Sequence, residues 1–146
     1  MAQLKSILTA AASGILAACS TAEPLKPGAD LPNLSQKNQE GQDICLASYG
    51  ESGYLLVYFY PKADTPGCTK QACSLRDAYA QLSDKGVKVL GVSMDSVKAQ
   101  KAFRDKYKLP FDLLADEDGS VVSAFGVPRK LKFASRQAFL FKDGKL

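Results

Sequence analysis

The chain has 146 residues, a formal net charge of +4, and neither histidine nor tryptophan. Its length corresponds to one domain, and 46% hydrophobic with 23% charged residues is typical of a soluble protein with its own core. The absence of histidine excludes Ser-His-Asp and Cys-His nucleophiles and most zinc and haem sites. The small basic excess, 19 residues against 15, gives no indication of nucleic-acid binding. The four cysteines are therefore the first candidates for chemistry.

Residues 1–18 have the pattern of a secretory signal peptide, with a short basic start at Lys5 and an apolar run from residue 7 onward. The run is shorter than the roughly 20 residues that a membrane-spanning helix needs. It ends Leu16-Ala17-Ala18-Cys19, which resembles the lipobox of bacterial lipoproteins, where the cysteine is lipidated and becomes the mature N-terminus. A plain secretory signal with an incidental cysteine is the alternative.

Lipidation at Cys19 would place the protein in the cell envelope as a membrane-anchored lipoprotein, on the periplasmic or extracytoplasmic side. Ser20, rather than aspartate, follows the cysteine, which by the same resemblance indicates the outer membrane in a host that has one. Residues 19–29 contain two prolines and are predicted to be an extended tether. The folded domain is predicted over residues 30–146.

Strands and helices alternate through that domain. Strands at 30–35 and 42–47 are predicted to form a short hairpin around a turn at 38–41. The continuous apolar run 54–60 predicts a central strand that is buried on both faces. The later predicted elements are a helix over 68–84, a strand over 87–93, a helix from Ser96 to Tyr107, a strand over 111–115, a short helix through Val122 and Phe125, and a strand over 138–142. This order predicts an α/β domain with helices on both faces of a mixed sheet.

The segment that follows the first central strand carries the chemistry. Residues 61–73 read Pro-Lys-Ala-Asp-Thr-Pro-Gly-Cys-Thr-Lys-Gln-Ala-Cys, which puts Cys68 in the first turn of a helix. Unpaired backbone N–H groups and the positive end of the helix dipole favour a thiolate at that position. The hydroxyl of Thr65 can hydrogen-bond this thiolate or a bound oxygen. A thiolate beside a donor suits attack on a peroxide O–O bond, because negative charge develops on the leaving oxygen.

The sulfenic acid formed by that attack condenses with a second thiol, and Cys73 is the natural one. Five residues along an α-helix correspond to a rise of about 7.5 Å and a Cα separation of ~8.7 Å. A disulfide needs less than about 7 Å. An intact helix therefore cannot hold a Cys68–Cys73 bond, and we predict that oxidation unwinds at least the first turn within residues 65–75.

This segment resembles the peroxiredoxins, specifically the bacterioferritin comigratory protein or peroxiredoxin Q branch, and the resemblance spans about residues 25–146. Members have the thioredoxin fold and reduce hydrogen peroxide and organic hydroperoxides. Thioredoxin or a similar dithiol usually regenerates them, and members of this branch are often monomers. We expect the pocket of this chain to need no metal or organic cofactor. The resemblance implies that Cys68 is the peroxidatic cysteine and Cys73 the resolving one, while Pro61 and Thr65 shape the pocket.

The same resemblance assigns a role to Arg136. The family has an arginine just before a late strand, in an Arg-x-x-Phe-hydrophobic pattern that residues 136–140 fit. A guanidinium cannot lose its charge, so Arg136 would hold the thiolate and orient the peroxide. A solvated charge at the edge of a strand is the alternative.

Two features depart from the family pattern. Gln71 stands where this branch usually has glutamate, which changes the local charge balance. The family also continues past the turn at 143–144 with a C-terminal strand and helix, which are missing from this chain. We therefore expect an uncovered sheet edge and an uncovered apolar face.

Cys45 and two basic segments have no assigned role. Cys45 alternates with apolar neighbours in a predicted strand, which favours a buried inert thiol, with a second resolving thiol as the alternative. The basic residues between 98 and 108 are predicted to form a solvated helix face, and 129–132 a flexible basic loop.

Two other functions share this fold and location. An envelope thioredoxin-like disulfide oxidoreductase would need Cys-x-x-Cys, with its first cysteine where Thr65 stands. A non-catalytic lipoprotein would not need to keep Thr65, Cys68, Cys73 and Arg136 together. The sequence therefore favours a peroxidase.

Overall fold

The computed structural model describes residues 23–146. The predicted signal peptide, the predicted lipidation site at Cys19 and the first residues of the predicted tether lie outside the described residues. In chain order, the elements are β1 (Ser35–Lys37), β2 (Asp43–Cys45), α1 (Leu46–Tyr49), β3 (Tyr54–Phe59), α2 (Pro66–Asp84), β4 (Val87–Ser93), α3 (Val97–Tyr107), β5 (Asp112–Ala115), α4 (Ser120–Ala124), β6 (Arg129–Lys130), β7 (Phe133–Ala134) and β8 (Gln137–Lys142).

The core of the domain is a mixed four-stranded sheet with the order β5-β4-β3-β8. Strands β3, β4 and β5 are parallel, and β8 runs antiparallel to β3. The parallel strands are connected through α2 and α3, as crossover connections between parallel strands require. The predicted α/β architecture with a mixed sheet is confirmed.

Alternate residues of β3 point to opposite faces of the sheet and so divide the core in two. Leu55, Val57 and Phe59 pack in a cluster that includes residues of α4. Tyr58 packs on the other face, in a cluster with Cys68 and other residues of α2 and α3. Helices therefore cover both faces as predicted, and Cys68 lies on the face that α2 covers.

The ends of several elements differ from the predictions. The N-terminal hairpin pairs Ser35–Lys37 with Asp43–Cys45, so its first strand begins later than predicted. Pro32 has no N–H to donate to a strand ladder, and between residues 23 and 31 only Asp30 forms an isolated bridge. Helix α2 begins at Pro66 rather than residue 68, because proline is well suited to the first helical position.

The prediction of a flexible basic loop at 129–132 is wrong. Strands β6 and β7 pair as a short antiparallel hairpin. Leu131 takes a left-handed backbone conformation with φ of 51°, which allows the tight reversal between them.

Part of the predicted tether contacts the domain. The backbone N–H of Leu25 donates to the carbonyl of Phe125, and that of Gly28 donates to the carbonyl of Leu146. Gly126 has φ of +65°, and a Cβ there would lie 1.9 Å from the carbonyl oxygen of Glu23. Glycine therefore permits this close approach. Within residues 23–146, no helix has the length and apolar character to cross a membrane.

Strand β8 forms one edge of the sheet. Leu140, on this strand, is 51% exposed.

Candidate active site

Cys68 is the third residue of α2, in its first turn as predicted. Its side chain is only 2% exposed and packs with Tyr58 and Ala72. The helix is started by Thr65, whose carbonyl accepts from the N–H of Thr69 at 2.8 Å. The first turn contains no acidic residue, so no negative side chain opposes a thiolate there.

Arg136 is brought to Cys68 by the register of the sheet. Gln137 at the start of β8 pairs with Phe59 at the end of β3, so Arg136 lies beyond that end, where the chain turns into α2. Its Nη2 donates to Cys68 Sγ at 3.3 Å. The structure thus places Arg136 in the site rather than leaving it as a purely solvated charge.

Two residues of α2 allow Arg136 to reach this position. Its Nη1 donates to Gln71 Oε1 at 2.5 Å, so the glutamine holds the guanidinium without neutralising it. A Cβ at position 67 would lie 3.3 Å from Nη2, so Gly67 leaves room for the arginine. The full positive charge of Arg136 therefore remains available to a thiolate and to a substrate oxygen.

The hydroxyl of Thr65 does not donate to Cys68, although the sequence predicted that it could hydrogen-bond the thiolate. Its hydroxyl donates to the carbonyl of Lys62 at 2.8 Å. Because its proton is already engaged, the Thr65 oxygen can only accept a further hydrogen bond, for example from the O–H of a hydroperoxide. Pro61 is half-buried at the start of the same loop.

A cavity of about 480 Å³ opens beside Arg136. Its lining residues are Leu56, Tyr58, Gly67, Lys70, Gln71, Ser74, Leu75, Arg136 and Ala138. The apolar members of this set come from β3, α2 and β8, and the arginine stands at one side. Such a cavity suits an organic group attached to a polar, reacting end.

Tyr58 brings a neutral phenol close to the site. The side chain is 1% exposed, and its hydroxyl has no hydrogen-bond partner among the described residues. Gly91 faces it across the sheet, and a Cβ there would lie 2.9 Å from the hydroxyl oxygen. Burial, and then the charge of Cys68, raise the pKa of Tyr58 well above its ordinary value. The phenol therefore stays protonated and adds no negative charge beside the thiol.

Cys73 lies five residues beyond Cys68 in the same continuous helix and is half-buried. Neither residue forms a disulfide within the described part of the chain. An unbroken α2 keeps their Cα atoms about 8.7 Å apart. A Cys68–Cys73 disulfide is therefore incompatible with this conformation of the helix.

The prediction that Cys45 is buried is wrong. It is half-buried at the junction of β2 and α1, and its thiol lies 3.8 Å from Asn33 Oδ1. Hydrogen bonding from the Ser48 backbone lowers the pKa of Cys45 below its usual value. Its neighbour Leu46 packs in the cluster on the other face of the sheet from Cys68. The structure does not bring Cys45 into the site.

Two carboxylates that were not predicted as site residues hold the loop before Cys68. Asp95 accepts from the backbone N–H of Ala63. Asp64, with φ of 58°, accepts from the hydroxyl of Tyr107 at 2.7 Å and from Lys106 at 2.9 Å. The sequence position of Asp95 could have indicated its role, because it comes just after a buried strand. Polar side chains that follow such strands tend to gather at the carboxyl edge of a parallel sheet.

The chain is similar to known proteins over most of its length. A model of the AhpC/TSA family matches residues 27–146. A Coxiella burnetii protein assigned as the peroxiredoxin bcp is 42% identical over 126 residues, which cover 82% of this chain and 83% of that protein. The chloroplastic peroxiredoxin Q of Sedum lineare is 46% identical over 104 residues, 71% of this chain but only 55% of its own length. The crystal structure of peroxidoxin BcpB from Mycobacterium tuberculosis superposes with a TM-score of 0.78 at 31% identity, covering 83% of this chain and 81% of that one.

Proposed function

The chain belongs to the AhpC/TSA family and is a thiol-dependent peroxidase of the peroxiredoxin type, and we propose that it reduces hydroperoxides through a sulfenic acid on Cys68. One observation carries the residue assignment. The guanidinium of Arg136 lies 3.3 Å from the sulfur of Cys68, which itself begins a helix. These two sources of positive potential converge on one buried thiol.

In the first step, the Cys68 thiolate attacks one oxygen of a hydroperoxide. A sulfur–oxygen bond forms, the O–O bond breaks, and the other oxygen leaves as an alkoxide or hydroxide that takes up a proton. Arg136 stabilises the negative charge that develops on this leaving oxygen. Thr65 Oγ1 is free to accept from the hydroperoxide O–H, since its own proton is bound to the Lys62 carbonyl.

In the second step, the thiolate of Cys73 attacks the sulfur of the Cys68 sulfenic acid. A disulfide forms, and hydroxide leaves and is protonated to water. A thioredoxin-type dithiol then reduces the disulfide through exchange, and its own two thiols are oxidised. A turnover assay that couples such a dithiol to peroxide loss tests the whole cycle, and a chain that consumes no peroxide would refute it.

The second step requires α2 to change shape. We predict that oxidation lowers amide hydrogen-exchange protection in residues 65–75 by tenfold or more, because the unwound turn loses its intrahelical hydrogen bonds. Exchange measured by mass spectrometry on reduced and oxidised protein checks this. Cys73→Ser is the matched control, since it forms the sulfenic acid without the disulfide and should keep its protection. Equal protection of the segment in reduced and oxidised wild type would contradict the prediction.

The cavity supports organic hydroperoxides as substrates alongside hydrogen peroxide. Leu56, Leu75 and Ala138 offer an apolar wall next to Arg136. A bulky hydroperoxide such as cumene hydroperoxide should therefore react at a rate comparable with that of hydrogen peroxide.

That the enzyme is a monomer remains a prediction.

We further propose that the enzyme works in the cell envelope on a lipid anchor at Cys19. The support is the sequence pattern of residues 1–19, with a basic start, an apolar run and a lipobox. Full-length protein expressed in a bacterial host should be recovered from membranes with a diacylated N-terminal cysteine. A Cys19→Ala variant should lose the lipid, and recovery of unmodified, uncleaved wild type would refute the anchor.

A further inference from the structure

A chain of hydrogen bonds leads from the buried interior of the domain, through the half-buried Asp95, to the loop that precedes Cys68. Asp95 stands just beyond the end of β4, and its Oδ2 accepts from the backbone N–H of Ala63 at 2.8 Å. The same oxygen accepts from the hydroxyl of Ser93 at 2.6 Å. Ala63 is the middle residue of the loop 61–65, so one carboxylate oxygen fixes the centre of that loop.

The other end of the chain is held by Gln100 of α3. Its Nε2 donates to Ser93 Oγ at 2.8 Å and to the carbonyl of Leu114 at 2.7 Å. Its Oε1 accepts from the hydroxyl of Tyr60, the residue just before the loop, at 2.6 Å. Ser93 and Gln100 are both 0% exposed. Every polar atom of the Gln100 amide group is thus paired, and a fully paired buried network has a well-defined geometry.

We propose that Asp95 is a positioning residue for peroxide reduction, acting through the backbone of Ala63 on the loop that places Thr65 beside Cys68. The inference rests on the proposed peroxidase reaction. Thr65 is the last residue of this loop, and α2 begins at the next residue, so the path of the loop sets where a hydroperoxide meets the sulfur.

Asp95 is better suited to this role than the other carboxylate attached to the loop. Asp64 contacts Lys106 and Tyr107 at the exposed surface, where such pairs contribute little. Ala63 is 8% exposed, and its N–H donates to Asp95, which is half-buried. Loss of its acceptor would leave a buried donor unpaired, so the loop would shift to find another partner.

A shifted loop has a distinctive kinetic consequence. Reaction with peroxide depends on alignment of the O–O bond with the sulfur, and a displacement on the order of 1 Å costs about 10²-fold in rate. Alkylation by iodoacetamide needs a thiolate but not that alignment. The ratio of the two rate constants at Cys68 therefore separates positioning of the substrate from reactivity of the thiol.

The experiment compares wild type, Asp95→Ala, Asp95→Asn and Asp105→Ala. Asp105 is an exposed acid of α3 that pairs with Lys101, so its variant is a control for loss of one charge. For each reduced protein, peroxide oxidation and iodoacetamide alkylation are followed at the Cys68 peptide by mass spectrometry. A thermal melt of each variant verifies that it is folded.

We expect Asp95→Ala to lower the peroxide rate constant by roughly 10²-fold while alkylation changes by less than about threefold. Asp95→Asn keeps a carbonyl acceptor for Ala63 and should recover most of the rate, and Asp105→Ala should match wild type. If Asp95→Ala does not fold, Ser93→Ala takes its place, because it removes one hydrogen bond to the Asp95 carboxylate. It should lower the ratio of the peroxide rate constant to the alkylation rate constant by about tenfold.

If wild type reacts rapidly with peroxide, the proposed function stands, and either of two results would then overturn the positioning role of Asp95. One is an unchanged peroxide rate in Asp95→Ala, or an unchanged ratio in Ser93→Ala where the first variant does not fold. The other is an equal fall in peroxide oxidation and alkylation. A folded wild type that reacts with peroxide no faster than a free thiol would overturn the proposed function as well.

Discussion

Replacing Cys68 with serine is expected to lower the rate of peroxide reduction by about 10⁴-fold or more, as removal of a nucleophile does in other enzymes. A serine hydroxyl is not ionised near neutral pH, and the side chain that donates to position 68, Arg136, is a cation that cannot act as a base. Peroxide loss measured under pseudo-first-order conditions checks this expectation.

Two other cysteine variants make this result specific. Cys73→Ser should still consume one equivalent of peroxide and then stop, because only the second step is removed. Cys45→Ser should behave as wild type, since Cys45 lies at the junction of β2 and α1, away from the site. Substantial turnover by Cys68→Ser, or its loss in Cys45→Ser, would show that the wrong thiol has been assigned.

Replacing Arg136 with glutamine should lower the rate constant for Cys68 oxidation by about 10²–10³-fold, the usual effect of removing a donor aimed at developing negative charge. Glutamine removes the positive charge that lies 3.3 Å from the sulfur and faces the cavity. Stopped-flow measurement of the first turnover isolates this step from disulfide formation.

Arg136→Lys tests what the guanidinium adds to the charge. A lysine keeps the charge but cannot donate in a fixed fork to both Cys68 and Gln71, so an intermediate rate is expected. Arg129→Gln is the matched control, because Arg129 lies on β6 and contacts Met94 rather than the cysteine. Equal rates for Arg136→Gln and wild type would remove Arg136 from the mechanism.

The residues that carry out the chemistry were predictable because they lie in one local segment or follow a family pattern. The position of Cys68 in the first turn of α2 was predictable, because a buried strand, a proline and a helical pattern follow one another in the sequence. The buried strand β3 was equally clear from its continuous apolar run. Arg136 was predictable only from the resemblance, because nothing local says that the start of β8 lies beside α2.

The residues that hold the loop were not predictable for a physical reason. Asp95 and Ala63 are 32 positions apart, and hydrophobic periodicity does not say which polar groups meet across a fold. Cys45 was misplaced because β2 is only three residues long, so the alternating pattern ended where α1 began. Short elements give too few repeats for their side chains to be assigned to a face.

The most direct test of the central claim is a single-turnover reaction of reduced wild type with one equivalent of hydrogen peroxide, followed by peptide mapping. We predict that one peroxide is consumed per chain and that the peptides containing Cys68 and Cys73 are recovered as one disulfide-linked pair. Recovery of Cys68 as an unmodified thiol after peroxide has been consumed, or of a disulfide that involves Cys45 instead, would contradict the assignment of the reacting and resolving cysteines.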